Sequence, residues 1–241
     1  MIGIERLADV FVGVADTLVA DFDVIDFLHT VAGHATEMSG GSAAGLMLSD
    51  LDGGLHHVGA SDESARLLEL YQVQHEEGPC LDCYRTGQPV AVADLATEAA
   101  RWPAFTERSL ASGVRSVHAF PMRLRDQVIG ALNVFGAEPR SLEPEEARVV
   151  QALADLATIA IIQERLIRQA ELLTEQLQFA LNSRVVIEQA KGAVARSLGV
   201  SVEEAFDLLR GYARRERVGL TDLALRVVQS PEGPQLLRPS S

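Results

Sequence analysis

The stretch VRSVHAFPMRLRDQVIGALNVF, residues 114–135, holds two apolar runs on either side of Arg125 and Asp126. Each run has the length of a β-strand, and the polar pair between them is short enough for a tight turn. Apolar runs separated in this way are typical of a β-hairpin. The stretch therefore predicts two antiparallel strands, at 114–124 and 127–135.

A second hairpin and several helices surround this predicted pair of strands. The apolar runs 42–49 and 55–60 flank the turn-forming sequence Asp-Leu-Asp-Gly-Gly, and residues 89–93 form a further short run. Apolar residues recur at helical spacing in three places, which are Ile4 to Leu18, Val24 to Val31 and residues 63–74. Strands that neighbour one another in sequence, with helices at the ends, predict an antiparallel sheet of the α+β class.

One long helix is predicted to follow the sheet. Pro144 suits a first helical turn, and the glutamates beside it favour the positive end of the helix dipole. Apolar residues then recur with a 4-3 spacing from Val149 to Leu181, and the polar Gln163 and Thr174 belong to the same series. This pattern predicts a coiled-coil seam. The alternative is that the first half of the helix packs on the sheet of its own domain.

The C-terminal part of the chain predicts three helices. Gly199 is suited to a left-handed cap of the first helix, and Ser201 with Glu204 forms a capping box that opens the second. The third helix is expected to begin near Thr221 and to supply apolar contacts from Leu223, Leu225, Val227 and Val228. The residues after it are rich in proline and serine, which predicts a flexible tail.

The net charge of −13 is confined to the first part of the chain. Residues 1–170 hold 12 Lys and Arg against 25 Asp and Glu, whereas residues 171–241 hold nine of each kind. The acidic first part repels nucleic acid, and the C-terminal part escapes that repulsion. An apolar content of 47% provides enough material for a hydrophobic core.

The composition also indicates the cellular compartment in which we expect the protein. No apolar run reaches the roughly 20 residues that a membrane-spanning helix needs, and Glu5 and Asp9 lie where a secretory signal would carry positive charge. Cys80 and Cys83 are too few to build a disulfide framework. These features predict a cytoplasmic protein with no membrane partner.

Cys80, Cys83 and His118 are the candidates for metal, redox or haem chemistry. A lone Cys-x-x-Cys pair is not a zinc site, and a redox role would need a thiol of lowered pKa, such as Cys80 near a helix N-terminus. The alternative is that both cysteines are small buried helix residues. His118 could ligate haem from within a cavity, or it could be a core histidine. Because no acid–base pair, nucleophile elbow or phosphate loop occurs, we predict no enzyme activity and no resident cofactor or metal.

Two further polar clusters have structural explanations. Asp21, Asp23 and Asp26 occur where a helix is expected to start, so capping explains them without a metal. His56 and His57 flank the turn of the second hairpin, where we expect both side chains to be solvated.

Basic side chains in the C-terminal part lie on shared helix faces. Arg184 and Lys191 are seven residues apart on the first helix, and Arg210 and Arg214 are four apart on the second. Phosphate contacts need cations that a rigid scaffold holds in this way. The alternative is a solvated charged face without a ligand.

Residues 175–228 contain, in order, the motifs Ala190-Lys191-Gly192, Glu204-Ala205-Phe206, Leu209-Arg210, and Leu220 with Ala224. This run resembles an ANTAR domain, a three-helix RNA-binding module of bacterial transcription antiterminators. The resemblance implies that Phe206 and Leu209 hold the bundle together. It implies an RNA-facing surface that includes Arg184, Lys191, Gly192, Arg196, Arg210, Ala213, Arg214 and Arg215.

The second hairpin, the segment EEGPCLDCYRTGQPVAVADL at 76–95 and the strand VIGALNVFGAEP at 128–139 make residues 21–162 similar to a GAF domain. The type is common before ANTAR domains in actinobacterial proteins. Such domains usually have a six-stranded antiparallel sheet, a helical layer and a pocket that can take a small molecule. No motif in the sequence identifies the ligand.

The resemblances imply a modular regulator in which a sensed signal controls antitermination. We expect structured RNA as a partner, a homodimer formed through the long helix, and a small-molecule ligand in the GAF-like domain. The alternative is a small-molecule-binding protein whose C-terminal helices serve protein interaction. The expected segments are an N-terminal helix at 1–20, a GAF-like domain at 21–162, a connecting helix at 144–181, an ANTAR-like bundle at 171–230 and a flexible tail at 231–241.

Overall fold

The computed structural model describes residues 23–50, 53–230 and 232–238, together with Ala8, Val10, Val12 and Gly13. Apart from these four positions, the helix expected at 1–20 lies outside the described residues, as does Asp21. The chain forms an N-terminal unit, Met1–Arg165, and a C-terminal unit, Leu166–Ser241.

The N-terminal unit is built on an antiparallel sheet with the strand order β2-β1-β5-β4-β3. Its strands are β1 (Ala43–Ser49), β2 (Leu55–Ala60), β3 (Val90–Val92), β4 (Ser116–Leu124) and β5 (Gln127–Gly136). Leu124 pairs with Gln127, and Arg125 adopts a left-handed conformation with a φ of 54°. The hairpin predicted from residues 114–135 is therefore confirmed. In the described part of the chain the sheet has five strands, one fewer than the resemblance led us to expect.

Helices cover both faces of this sheet, which confirms the α+β class. They are α1 (Val24–Ser39), α2 (Glu63–His75), α3 (Pro79–Thr86), α4 (Pro103–Ala111) and the beginning of α5 (Pro144–Leu198). On one face, Leu46 and Leu132 of the sheet form a hydrophobic cluster with Val31 of α1 and Leu153 of α5. On the other face, α2, α3 and α4 pack against the strands.

The start of α1 shows how a local signal fixes a helix boundary. The Asp23 carboxylate accepts hydrogen bonds from the backbone N–H of Ile25 at 2.7 Å and of Asp26 at 3.2 Å. It thereby satisfies two of the N–H groups that a helix leaves unpaired at its first turn. Capping therefore accounts for Asp23, as the sequence predicted.

The helix α5 has an apolar half and an exposed half. Val150, Leu153 and Ala157 are fully buried on the sheet of the N-terminal unit. Further along, Ile167 is 60% exposed and Leu177 is 57% exposed. The first stretch thus packs on its own domain, and in the second stretch the described residues of the chain leave these apolar side chains exposed.

The C-terminal unit is a helical bundle formed by the end of α5 with α6 (Val202–Glu216) and α7 (Leu220–Gln229). The capping box at its second helix is present, with the Ser201 hydroxyl accepting from the Glu204 N–H and the Glu204 carboxylate accepting from the Ser201 N–H. The core consists of small and medium-sized apolar side chains. Its buried members are Ala190, Val194, Ala205, Leu209, Ala213, Leu223, Ala224, Val227 and Leu237.

Two details of this unit differ from the sequence-based expectation. Leu225 is 37% and Val228 41% exposed, so these two residues of α7 contribute less to the core than the apolar pattern suggested. In addition, Gly233–Leu237 forms a 3₁₀ helix, and Leu237 is only 4% exposed. Part of the segment expected to be a flexible tail is therefore packed on the bundle, because Leu237 adds an apolar side chain to the core.

Candidate nucleic-acid interface

Three side chains from two helices meet on one flank of the C-terminal bundle. The Lys191 Nζ of α5 lies 5.3 Å from the centroid of the Phe206 ring on α6. The guanidinium carbon of Arg210, one turn further along α6, lies 5.6 Å from the same centroid. Cations at such distances are attracted to the face of an aromatic ring. Lys191, Phe206 and Arg210 therefore form a cationic aromatic cluster.

Lys191 also has an acidic neighbour. Its Nζ donates to both carboxylate oxygens of Glu188 at 2.9 Å, and the lysine side chain is 17% exposed. The ion pair and the ring together hold the ammonium group in place. An anionic ligand would have to compete with Glu188 for it.

A groove extends this flank beyond the cluster. Its volume is about 320 Å³, and it is lined by Arg210, Ala213, Arg214, Val218 and Leu220.

Ala213 lies at the floor of the groove between two arginines. It is 7% exposed and belongs to the bundle core, yet it also lines the groove. A larger side chain there would fill the space between Arg210 and Arg214. The small residue therefore keeps the groove open.

Arg210 and Arg214 differ from Lys191 in their electrostatic surroundings. Both are exposed, and within the described part of the chain no carboxylate lies at ion-pair distance from either. Arg184, two turns before Lys191 on α5, is exposed as well. These guanidinium groups are free to meet phosphates.

The other residues expected at an RNA surface lie on different flanks. Gly192 and Arg196 line a groove beside Val227 and Val228 of α7. Arg215 lies 5.1 Å from the Tyr212 ring and pairs with Glu216 at 3.0 Å. The structure thus brings together Lys191, Arg210, Ala213 and Arg214, and it does not bring Gly192, Arg196 or Arg215 to the same place.

The flank that carries Arg215 is also more acidic. Arg215 and Tyr212 line a cleft of ≈ 710 Å³ together with Glu204, Asp207 and Arg238. Its two carboxylates balance its two arginines, whereas among the described residues no carboxylate lines the groove between Arg210 and Arg214, so a phosphate is less favoured here. This flank therefore offers a natural comparison for the cationic aromatic cluster.

Phe206 has a different place from the one that the sequence suggested. Leu209 is fully buried, as expected, but Phe206 is only half-buried and is not a member of the apolar core. The expectation that Phe206 holds the bundle is therefore wrong. The four-residue spacing of Phe206 and Arg210 could have suggested a shared face, but the approach of Lys191 depends on tertiary structure.

Ala190 precedes Lys191 and Gly192 in the ANTAR-like motif, but its side chain is fully buried. Ala190 lies in the core with Leu223 and Val227. It therefore supports the bundle and does not face a ligand.

The N-terminal unit contains a buried polar network. Glu69 of α2 is fully buried; its carboxylate accepts from Asn133 Nδ2 at 3.0 Å and lies 2.5 Å from His57 Nδ1. Burial raises the pKa of Glu69, and the hydrogen bonds from His57 and Asn133 oppose that rise. The His57 side chain is 14% exposed, so the expectation that it is solvated is wrong.

The cysteines have the environment of packing residues. Cys80 and Cys83 are both buried. Burial raises the pKa of the Cys80 thiol, to which the charge of Glu69 adds, and burial raises that of Cys83 to about 12. Because the thiolate is the reactive form, these shifts disfavour redox chemistry. In the described part of the chain, no group of His, Cys, Asp and Glu side chains could hold a metal ion.

His118 borders a cleft but is itself almost buried. It is 5% exposed, and its Nε2 accepts from the Leu142 N–H at 3.4 Å. The cleft has a volume of ≈ 430 Å³ and is lined also by Ser42, Ser116 and Arg140. Burial, with a smaller effect of the Arg140 charge, lowers the pKa of His118 to about 4. The imidazole is therefore neutral at physiological pH.

The fold and the two kinds of site define a modular regulatory protein, with an α+β domain followed by a helical module. Family models match a GAF domain at residues 23–162 and an ANTAR domain at residues 175–228. The chain belongs to the GAF domain family and carries a C-terminal ANTAR domain. ANTAR domains are RNA-binding antitermination domains, and the pairing with a GAF domain fits a regulator.

Solved structures support the fold of the N-terminal unit. The GAF domain of a phosphoenolpyruvate-protein phosphotransferase from Coxiella burnetii is 17% identical, with a TM-score of 0.54 over 68% of this chain and 98% of that chain. The corresponding domain from Acinetobacter is 12% identical, with a TM-score of 0.53 over 69% and 98%.

A third similar structure is an enzyme. The free methionine-R-sulfoxide reductase from Neisseria meningitidis, in complex with its substrate, is 18% identical, with a TM-score of 0.51 over 67% of this chain and 89% of that chain. At this identity the likeness concerns the fold alone. No curated protein matches the chain. None of the helices in the described part is long and apolar enough to cross a membrane.

Proposed function

We propose that the chain is a signal-responsive antitermination regulator that binds structured RNA through its ANTAR domain. The observation that carries the proposal is the pair Arg210 and Arg214, two exposed guanidinium groups that line an open groove and have no carboxylate at ion-pair distance among the described residues. Arginine on a rigid helix is suited to phosphate contacts. Because nascent transcripts are the proposed targets, the proposal also locates the protein in the cytoplasm.

The RNA surface that we propose is centred on Lys191, Arg210 and Arg214, with Arg184 at its edge. Gly192, Arg196, Ala213 and Arg215 remain candidates, and their different positions make them separable by mutation. Ala213 would act through the space it leaves in the groove. Arg215 would contact RNA only if the RNA also reached the acidic flank, which is the one that carries Glu204 and Asp207.

Salt dependence tests this proposal. Affinity for RNA hairpins is expected to fall linearly with the logarithm of the salt concentration, because phosphate contacts release counterions. Arg210→Ala and Arg214→Ala should each reduce the slope by about 0.7–0.9. Arg215→Ala is the matched comparison, because a slope near that of the wild type in this variant would place Arg215 outside the RNA surface. Absent or salt-insensitive binding by the wild type would contradict the proposal.

The exposed half of α5 supports a homodimer. Leu166, Ile167, Leu173, Leu177 and Leu181 are all more than half exposed on one helix. Three of them, Ile167, Leu177 and Leu181, belong to the 4-3 repeat, and an exposed apolar repeat of this kind is suited to a coiled coil with a second copy of the chain. Dimerisation would also bring two ANTAR domains together, so that paired hairpins gain from effective concentration.

Sedimentation equilibrium tests the dimer with a matched pair of variants. Ile167 is 60% and Ile25 59% exposed, and Ile25 lies on α1, outside the proposed seam. Ile167→Glu should yield monomers, whereas Ile25→Glu should leave the association unchanged. A wild-type chain that is monomeric at micromolar concentration would exclude this interface.

We propose that the GAF domain receives the signal and that α5, which begins in the N-terminal unit and ends in the C-terminal unit, transmits it. GAF and ANTAR domains are regulatory and sensory domains, and we propose no enzymatic activity. A small molecule is the expected ligand class. If Ile167→Glu is monomeric and binds RNA as tightly as the wild type, coupling through dimer geometry is excluded.

A further inference from the structure

Phe206 is a large aromatic side chain that the core of the C-terminal unit does not use. The buried residues of α6 are Ala205, Leu209 and Ala213, which recur every four residues. Phe206 lies one residue off this series, half-buried, beside the cations Lys191 and Arg210. Its position on the cationic flank therefore has no explanation in core packing.

Neither cation is stacked closely on the ring. Lys191 and Arg210 lie 5.3 Å and 5.6 Å from the Phe206 centroid, whereas Arg101 lies 4.2 Å from the Trp102 ring in the other unit. An aromatic ring with cations beside it matches a nucleotide, whose base is a flat π-system and whose phosphates are anionic.

The arrangement selects for one kind of nucleotide. In a helical stem the faces of each base are covered by neighbouring base pairs, whereas unpaired bases in loops and bulges can stack on aromatic side chains. Phe206, Arg210 and Arg214 lie at intervals of four residues on one face of α6, and span about 12 Å along its axis. A phosphate chain that leaves a stacked base can therefore follow the same face to Arg214.

We propose that Phe206 is the stacking surface for one unpaired base of the RNA, and that Lys191 and Arg210 bind the phosphates beside that base. This inference rests on the proposed RNA-binding function and assigns a specific role within it. Glu188 releases Lys191 when a phosphate replaces its carboxylate. The stack tolerates any base and the cations contact only the backbone, so this contact favours unpaired nucleotides and does not select one base.

The test compares two RNA probes and two aromatic residues. The probes are a pool of hairpins with a randomised single-stranded loop and a fully paired duplex with the same stem. Phe206→Leu should weaken hairpin binding about tenfold, the size expected for one lost base stack, and should leave duplex binding unchanged. Tyr212→Leu is the matched control, because Tyr212 also has an arginine beside its ring but lies on the acidic flank.

The salt dependence of RNA binding separates the contribution of charge from that of stacking. Phe206→Leu removes no charge, so the salt slope should remain that of the wild type, whereas Arg210→Ala should reduce it. Phe206→Tyr keeps a ring and should retain hairpin affinity. If Phe206→Leu binds hairpins as tightly as the wild type, the stacking role is excluded.

A second measurement does not depend on the folding of a variant. Ultraviolet crosslinking of the wild-type chain to the hairpin pool should attach a loop nucleotide to the peptide that contains Phe206, as identified by mass spectrometry. Crosslinks confined to other peptides would overturn the inference while leaving RNA binding intact. If the wild-type chain binds neither probe, the proposed function itself fails.

Discussion

In the N-terminal unit polar groups lie in the interior, whereas in the described part of the C-terminal unit the buried side chains are apolar. Glu69, Gln72, Asn133 and His118 are all within the first unit and at most 5% exposed. In the second unit the core is alanine, valine and leucine, and the charged groups are on the surface. The polar and charged groups thus lie where the proposed task of each unit needs them. A sensor needs polar groups in its interior, whereas a surface that binds RNA needs charged groups exposed to solvent.

A substitution in the apolar core of the bundle has the largest expected effect. Leu209→Ala should destabilise the C-terminal unit by about 3 kcal/mol, because it removes a fully buried side chain and leaves a cavity. Leu225→Ala, at a position 37% exposed, should change stability by less than about 1 kcal/mol. Hydrogen exchange of the α6 amides measures the first effect locally, and that of the α7 amides measures the second. Equal effects would remove the distinction between core and surface in this unit.

The burial of His118 should make the stability of the N-terminal unit depend on pH. The pKa of His118 is lowered from 6.5 to about 4, so the unfolded chain takes up the proton more readily than the folded one. Stability from this group is therefore fully present above pH 6.5 and is lost as the pH falls toward 4. The loss is on the order of 3 kcal/mol.

Urea unfolding of the wild type and of His118→Gln between pH 4 and 7 checks this effect. Glutamine can still accept from the Leu142 amide but does not titrate, so the variant should have a flatter pH dependence. An unchanged pH dependence in the variant would show that burial of His118 does not control it.

Polar groups of the bundle should have smaller effects because they lie at the surface. Ser201→Ala removes the capping hydrogen bond to the Glu204 N–H and should cost about 1 kcal/mol. Ser201→Asp, which restores an acceptor, should recover most of that loss. Thermal melting of the two variants decides whether the capping box contributes as expected.

The smallest expected effect is a gain in stability. Gly192 lies inside α5, and a Cβ there would meet nothing within 4 Å. Gly192→Ala should therefore stabilise the helix by about 1 kcal/mol. The control is Gly199→Ala, which should destabilise, because Gly199 has a φ of +70°. If Gly192→Ala is more stable and also binds RNA more weakly, close approach of the RNA explains why glycine occurs there.

Local patterns predicted much of the fold. The hairpin at residues 114–135, the Asp23 cap and the Ser201–Glu204 capping box each depend on residues within a few positions of one another. The pattern of α5 was ambiguous, since a 4-3 repeat is compatible with packing on a sheet and with a coiled coil. Only the position of the sheet decides that Leu153 is buried and Ile167 is exposed.

The candidate site was predicted in part. The residue types and their shared helix faces pointed to Lys191, Arg210 and Arg214, and the structure brings these three to one flank. Phe206 was misplaced because helical periodicity does not reveal which flank of α6 faces α5. Arg215 is adjacent to Arg214 in sequence, but one residue along a helix turns the side chain by about 100°, which takes Arg215 to the acidic flank.

The sequence by itself determined the two hairpins and the capped starts of the helices at Asp23 and Ser201, and it determined that the acidic charge is confined to the first part of the chain. These properties follow from local hydrogen bonding, side-chain periodicity and composition. Tertiary structure alone decided that His57, Glu69 and Asn133 share a buried network, and that Lys191 meets Phe206. The physical reason is that these groups lie far apart along the chain, so that only the packing of whole elements brings their side chains within reach.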